Sequence, residues 1–318
     1  MKHWSASLCT SIVLIGCSAS PSSAPDTTPL ASRPSIVVTY SVLGAVVSEL
    51  VGDAADVSIV IPDGQDPHDF EPSAKDVEMI NDADLLVANG LGFEEGLVDA
   101  LDAANDRGVD RFLVSDFVTT IDGDGHDGHD DHSSDDDSHG DDAHDKDTSD
   151  AHATDPHIWL SPFALSEMID DLGMAINSST GLDVTDAAEG LATSLLSLDA
   201  QVANLITALG SCTIVTGHDE LGYFADRYGC EVVGAVIPSF STTAEASAGE
   251  LSDLKDLIEQ HDVKTLFTGL GTSSDVVERL VFELDIRAVE LTTHFMSGAQ
   301  SYDAFMLRLV DQIVDGLS

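Results

Sequence analysis

The chain has 318 residues, 43% of them apolar, enough for one large domain or two ordinary ones, each with a real core. Its formal net charge of −46 argues against nucleic acid and anionic membrane surfaces as partners, and suits a cation or a saline habitat. Residues 122–157 hold fourteen Asp and one Lys, which supply −13 of that charge, and the remainder is spread along the chain.

Lys2 and a short apolar stretch ending in Ile12-Val13-Leu14-Ile15 read as a signal segment. The stretch falls short of the ~18–20 apolar residues of a membrane span. It closes on Leu14-Ile15-Gly16-Cys17, the form of a bacterial lipobox, so residues 1–17 are expected to be a lipoprotein signal with Cys17 as lipidation site. Residues 18–35, rich in Ser, Pro and Ala without apolar periodicity, are expected to be a flexible tether.

From Ser35 onward short apolar strands alternate with amphipathic helices. Strands are predicted at Ile36–Tyr40, Val57–Ile61, Leu85–Ala88 and Phe112–Val114, with helices at 42–52, 73–81 (Ser73 as N-cap) and 93–106. Residues 122–154 follow, with many Asp, six His and almost nothing apolar, and are expected to be disordered without metal. After a helix at 163–178 comes a longer one. Asp186 with Glu189 reads as its capping pair, and Leu191, Leu195, Leu198, Val202, Leu205 and Leu209 form one apolar stripe ended by Gly210. A second block carries strands at Thr213–Thr216, Glu231–Val236, Thr265–Thr268 and Arg287–Leu291, and helices at about 219–228, 247–260, 274–284 and 301–316. The pattern predicts an α/β protein with two Rossmann-like lobes of parallel sheet: an N-terminal lobe over 36–184, a rigid connecting helix over 185–210 and a C-terminal lobe over 211–318.

Cys212 and Cys230 each open a predicted strand, and are either a disulfide, which an oxidising compartment permits, or two buried thiols. Three histidines stand in Gly- or Pro-marked turns after strands or after the insert: His68 in GQDPHDFEP, His157 in DPHIWLSP and His218 in TGHDELGYFADRYG. Ligands of open parallel sheets bind at the carboxyl ends of strands, so a cleft between two lobes would gather all three. Imidazole suits zinc and other late first-row cations, so the trio is read as a metal site whose affinity falls below about pH 6 as histidine protonates. His126, His129, His132, His139, His144 and His152 of the insert are read as weak auxiliary metal ligands.

Together with ADLLVANGLGFEEGL (84–97) and SYDAFMLRLVDQI (301–313), these motifs resemble the solute-binding proteins of zinc and manganese ABC importers, the ZnuA-like or cluster A-I family, over nearly all of 36–318. The resemblance implies two α/β lobes joined by a long helix, no enzymatic activity, metal ligands at His68, His157 and His218, and delivery to an importer's permease and ATPase from a monomer anchored outside the cytoplasm. A His-rich insert goes with zinc in that family, whereas manganese members tend to lack it and to place a carboxylate at the His218 position. Where the family often has an acidic ligand after the last strand, this chain reads Leu291-Thr292-Thr293-His294, so the fourth place falls to His294 or to water, with an insert histidine or Glu290 as further options. Zn2+ is therefore expected ahead of Mn2+. The other readings are a manganese or iron receptor of the same family, a zinc hydrolase using Asp219 or Glu220 as base, and a metal-binding adhesin.

Overall fold

The structure, a computed structural model, describes Met1 and residues 32–122 and 154–318. The expected lipidation site Cys17, residues 18–31 of the expected tether and the six histidines of the insert lie outside the described residues.

Strand and helix alternate as β1 (Ser35–Val38), α1 (Ser41–Val51), β2 (Asp56–Ile59), α2 (Ala74–Asn81), β3 (Leu85–Ala88), α3 (Val98–Asp106) and β4 (Asp110–Leu113). Then follow α4 (Pro162–Thr180), α5 (Thr185–Leu209), β5 (Thr213–His218), α6 (Gly222–Tyr228), β6 (Glu231–Ile237), α7 (Ala248–Gln260), β7 (Thr265–Thr268), α8 (Ser274–Leu284), β8 (Arg287–Glu290) and α9 (Tyr302–Leu317). Two four-stranded sheets result, in the orders β2-β1-β3-β4 and β6-β5-β7-β8, with every pairing within them parallel. The same winding thus occurs twice, each sheet reversing direction beside its first strand, where the carboxyl ends open a ligand crevice.

The strands follow from their β-branched and leucine-rich runs: β3 is buried at all four positions, as a strand covered on both faces must be. Helix α5, 25 residues and about 37 Å long, packs on α1 and α4 of the first half and on α6 and α9 of the second. A hydrophobic core running through both halves includes Leu191, Leu195, Leu198, Val202 and Ile206 of α5, while a smaller cluster around Val215, Leu254 and Leu266 lies beneath α7 and α8.

Three local expectations are corrected. The Asp186–Glu189 capping pair does not form; Val184 precedes α5 without a side-chain cap, and Asp183 instead accepts from the Thr185 N–H and hydroxyl. The stripe on α5 passes from Val202 to Ile206, four residues on, which leaves Leu205 exposed. No helix starts at 93, because Gly90, Leu91 and Gly92 all have positive φ and a single 3-10 turn at Glu95–Leu97 precedes α3. Cys212 and Cys230 are bonded, tying the approach to β5 to the approach to β6. Among the described residues no helix is long and apolar enough to cross a membrane.

Candidate metal centre

His68 and His157 come from the first half. Each follows Asp-Pro, and each donates its backbone N–H to the aspartate two residues earlier, at 3.1 Å for Asp66 and 2.8 Å for Asp155. His218 is the last residue of β5, paired with Ile237 of β6, and His294 lies in the turn after β8. Small residues admit the close approach: a Cβ on Gly217 would come within 2.1 Å of Thr272 Oγ1, and one on Gly222 within 2.3 Å of Asp155 Oδ2.

These four histidines meet. Each is at most 3% exposed, and one ligand atom from each lies within 4.8 Å of the other three. His157 Nε2 and His218 Nε2 stand 3.3 Å apart. Two nitrogens bound to one tetrahedral Zn2+ at ~2.0–2.1 Å would be separated by ~3.3–3.4 Å. Both ring nitrogens of His68, Nδ1 of His218 and Nε2 of His294 are buried without a hydrogen-bond partner. An orphaned buried polar atom costs about 1–3 kcal/mol, and a cation accepting the lone pair of the inward nitrogen of each ring would remove part of that cost.

The outward sides of the rings meet oxygen. His157 Nδ1 is 2.8 Å from Asp155 Oδ1 and His294 Nδ1 is 2.9 Å from Thr293 Oγ1. His218 Nδ1 stands 3.8 Å from Glu220 Oε1, and His68 Nδ1 3.7 Å from Glu95 Oε1. Aromatic rings close the wall: Phe93 stacks against His294 at 6.0 Å, and Trp159 lies 5.3 Å from His157 and 5.8 Å from His294.

Burial, reinforced by the neighbouring His157, pushes His68 down to about 3. His218 and His294 are driven well below the ordinary imidazole value, by burial first and by the other histidines second. These three rings are therefore neutral in the folded protein and present lone pairs. The expected loss of affinity near pH 6, which assumed an ordinary imidazole, moves to lower pH for them. Burial raises Glu220 to about 7, against the opposing pull of its hydrogen bond from Thr293.

Of the residues proposed from sequence as ligands, His68, His157, His218 and His294 converge, while Glu290 is exposed. The supporting oxygens of Asp155, Thr293 and Glu95 were missed. Asp155 alone had a local signal, the Asp-Pro-His turn shared with His68. Glu220, read as a possible base, is buried and accepts a hydrogen bond from the Thr293 hydroxyl at 2.5 Å.

Fold and cluster together define a class, the two-lobed substrate-binding proteins that take metal ions for ABC import. Residues 36–316 match the family described as zinc-uptake complex component A, periplasmic, and the chain belongs to that family. It is 26% identical over 295 residues to the manganese-binding lipoprotein MntA of Halalkalibacterium halodurans, covering 89% of this chain and 88% of that protein. It is 27% identical over 295 residues to the zinc-binding protein AdcA of Streptococcus pyogenes, covering 87% of this chain but 55% of AdcA. The periplasmic zinc-binding protein TroA of Treponema pallidum shares the fold, with a TM-score of 0.71 and 22% identity, covering 90% of this chain and all of that one.

Proposed function

We propose that this protein captures Zn2+, in preference to Mn2+, with His68, His157, His218 and His294, and delivers it to the permease and ATPase of an ABC-type importer. The observation that carries the reading is the convergence of four buried histidines within 4.8 Å. An all-imidazole donor set suits Zn2+, whereas Mn2+ suits carboxylate, carbonyl and water oxygens. In this proposal His294 takes the fourth place rather than water. The lobes are residues 36–184 and 211–318, joined by 185–210, and Cys17 carries the lipid that holds a monomer outside the cytoplasm. The Cys212–Cys230 disulfide supports that location, since disulfides persist in oxidising compartments. The six insert histidines would collect further ions.

Elemental analysis and competition calorimetry on the mature chain test this. One tight Zn2+ is expected in a chain lacking residues 123–153, with Mn2+ unable to displace it at equal concentration. Replacing any of the four histidines by Ala should weaken binding by more than the roughly tenfold to hundredfold typical of losing a supporting group. Variants that bind like the parent would overturn the ligand assignment, and displacement by Mn2+ would favour the manganese reading.

A further inference from the structure

We propose that Thr293 is a positioning residue: its hydroxyl, anchored on Glu220, holds the His294 imidazole in the Nδ1–H tautomer and turns the bare Nε2 toward the other three histidines. The metal-binding consequence rests on the function proposed above; the tautomer itself does not.

The direction of the relay follows from counting protons. A threonine hydroxyl has one proton and two lone pairs, and an ionised carboxylate only accepts. Thr293 Oγ1 lies 2.5 Å from Glu220 Oε2 and 2.9 Å from His294 Nδ1. At pH 8, where Glu220 is a carboxylate, the hydroxyl gives its single proton to Glu220 and has only a lone pair to offer the ring, so Nδ1 carries the imidazole proton. A neutral imidazole has one N–H, which leaves Nε2 as a lone pair. That nitrogen is buried and has no hydrogen-bond partner, and its ring lies 5.2 Å from His218, 5.7 Å from His157 and 5.8 Å from His68.

The hydroxyl has little freedom to turn away. The Thr293 carbonyl accepts from the Trp159 indole N–H at 2.6 Å, and the Trp159 carbonyl accepts from the Tyr302 hydroxyl at 2.8 Å. Thr293 is 1% exposed and Glu220 1%, so water does not compete for either group. Glu220 comes from the turn after β5 and His294 from the turn after β8; the relay therefore fixes one histidine from the element that ends in another, His218. His157 reaches the same tautomer by a direct carboxylate bond, and His294 reaches it through one intervening hydroxyl.

Two-bond 1H–15N correlation spectra of the metal-free, 15N-labelled protein at pH 8 read the tautomer, with the His294 signals assigned by their loss in His294→Gln. The wild type should show Nδ1–H and a bare Nε2. Thr293→Ser, which keeps the hydroxyl, should preserve that pattern, and Thr293→Val, of similar shape, should abolish its dominance. Zinc affinity should then fall by about tenfold to a hundredfold in Thr293→Val and hold in Thr293→Ser. An Nε2–H tautomer in the wild type overturns the proposal with no variant required, and so does a Thr293→Val protein in which His294 remains Nδ1–H. A wild type that shows the expected tautomer yet binds no zinc would instead refute the metal-binding function and leave the relay standing.

Discussion

Asp66-Pro67-His68 and Asp155-Pro156-His157 are the same tripeptide, and in both the aspartate Oδ1 accepts the histidine N–H and closes the same small turn. The remaining contacts differ. Asp155 is fully buried, and the oxygen that closes its turn also lies 2.8 Å from Nδ1 of its own histidine. Asp66 is half-buried, and its second oxygen accepts from the Thr242 hydroxyl of the opposite half at 2.7 Å. Beside it, Glu95, the carboxylate nearest His68 Nδ1, accepts from the Ser241 hydroxyl at 2.5 Å. One turn orients its imidazole; the other joins the halves and leaves its imidazole to be held by packing, edge-on to Phe93 at 5.1 Å. A local motif thus specifies backbone geometry, and the surroundings decide what its spare oxygen does.

The largest expected contrast is in metal affinity. Asp155→Ala removes a group that orients a ligand and should weaken zinc binding by about tenfold to a hundredfold. Asp66→Ala should cost no more than about threefold, the low end of one hydrogen bond, and should act mainly by speeding metal release. Stopped-flow release with a chelator, alongside equilibrium titration, separates the two; equal losses would erase the distinction drawn between the turns.

Next comes pH. The unfolded chain protonates His68 near 6.5, while the folded site resists until about 3. Between those values the unfolded state binds more protons, so the metal-free protein should lose stability as pH falls through this window. The slope approaches about 1.4 kcal/mol per pH unit from this residue, and His218 and His294 contribute with the same sign. Urea unfolding at several pH values between neutrality and mild acid tests it, and His68→Asn should flatten the profile. A profile already flat in the parent would show that burial does not hold this ring neutral. The smallest effect belongs to Thr242→Val, which should lower the unfolding free energy by about 1 kcal/mol or less and reproduce the faster metal release of Asp66→Ala.

The inner strands were legible because parallel strands covered on both faces need apolar or β-branched residues, and the apolar run Leu85–Ala88 and the Thr-flanked Leu-Phe pair of Thr265–Thr268 lie where the pattern placed them. The start of α5 at Thr185 was legible but its cap was not, because Asp183, two residues before the helix, satisfies backbone and hydroxyl donors, a choice that an acidic pair farther along did not reveal. Three of the converging histidines were legible from turns after strands or after the insert. His294 was visible only as one of several options, since nothing in Leu-Thr-Thr-His shows which side chain turns inward. The Glu220–Thr293 bond spans 73 residues, and no local pattern encodes a hydrogen bond between the ends of two different strands.

Trp159 sits in van der Waals range of the histidine cluster and is one of two tryptophans in the chain; the other, Trp4, lies in the proposed signal segment. After processing, a single indole would account for all tryptophan emission. Its N–H is tied to the residue next to His294 and its ring faces His157, so a charge arriving among the imidazoles would alter the field at the fluorophore from both halves at once. The mature protein would then signal its own loading optically, without a dye or a label.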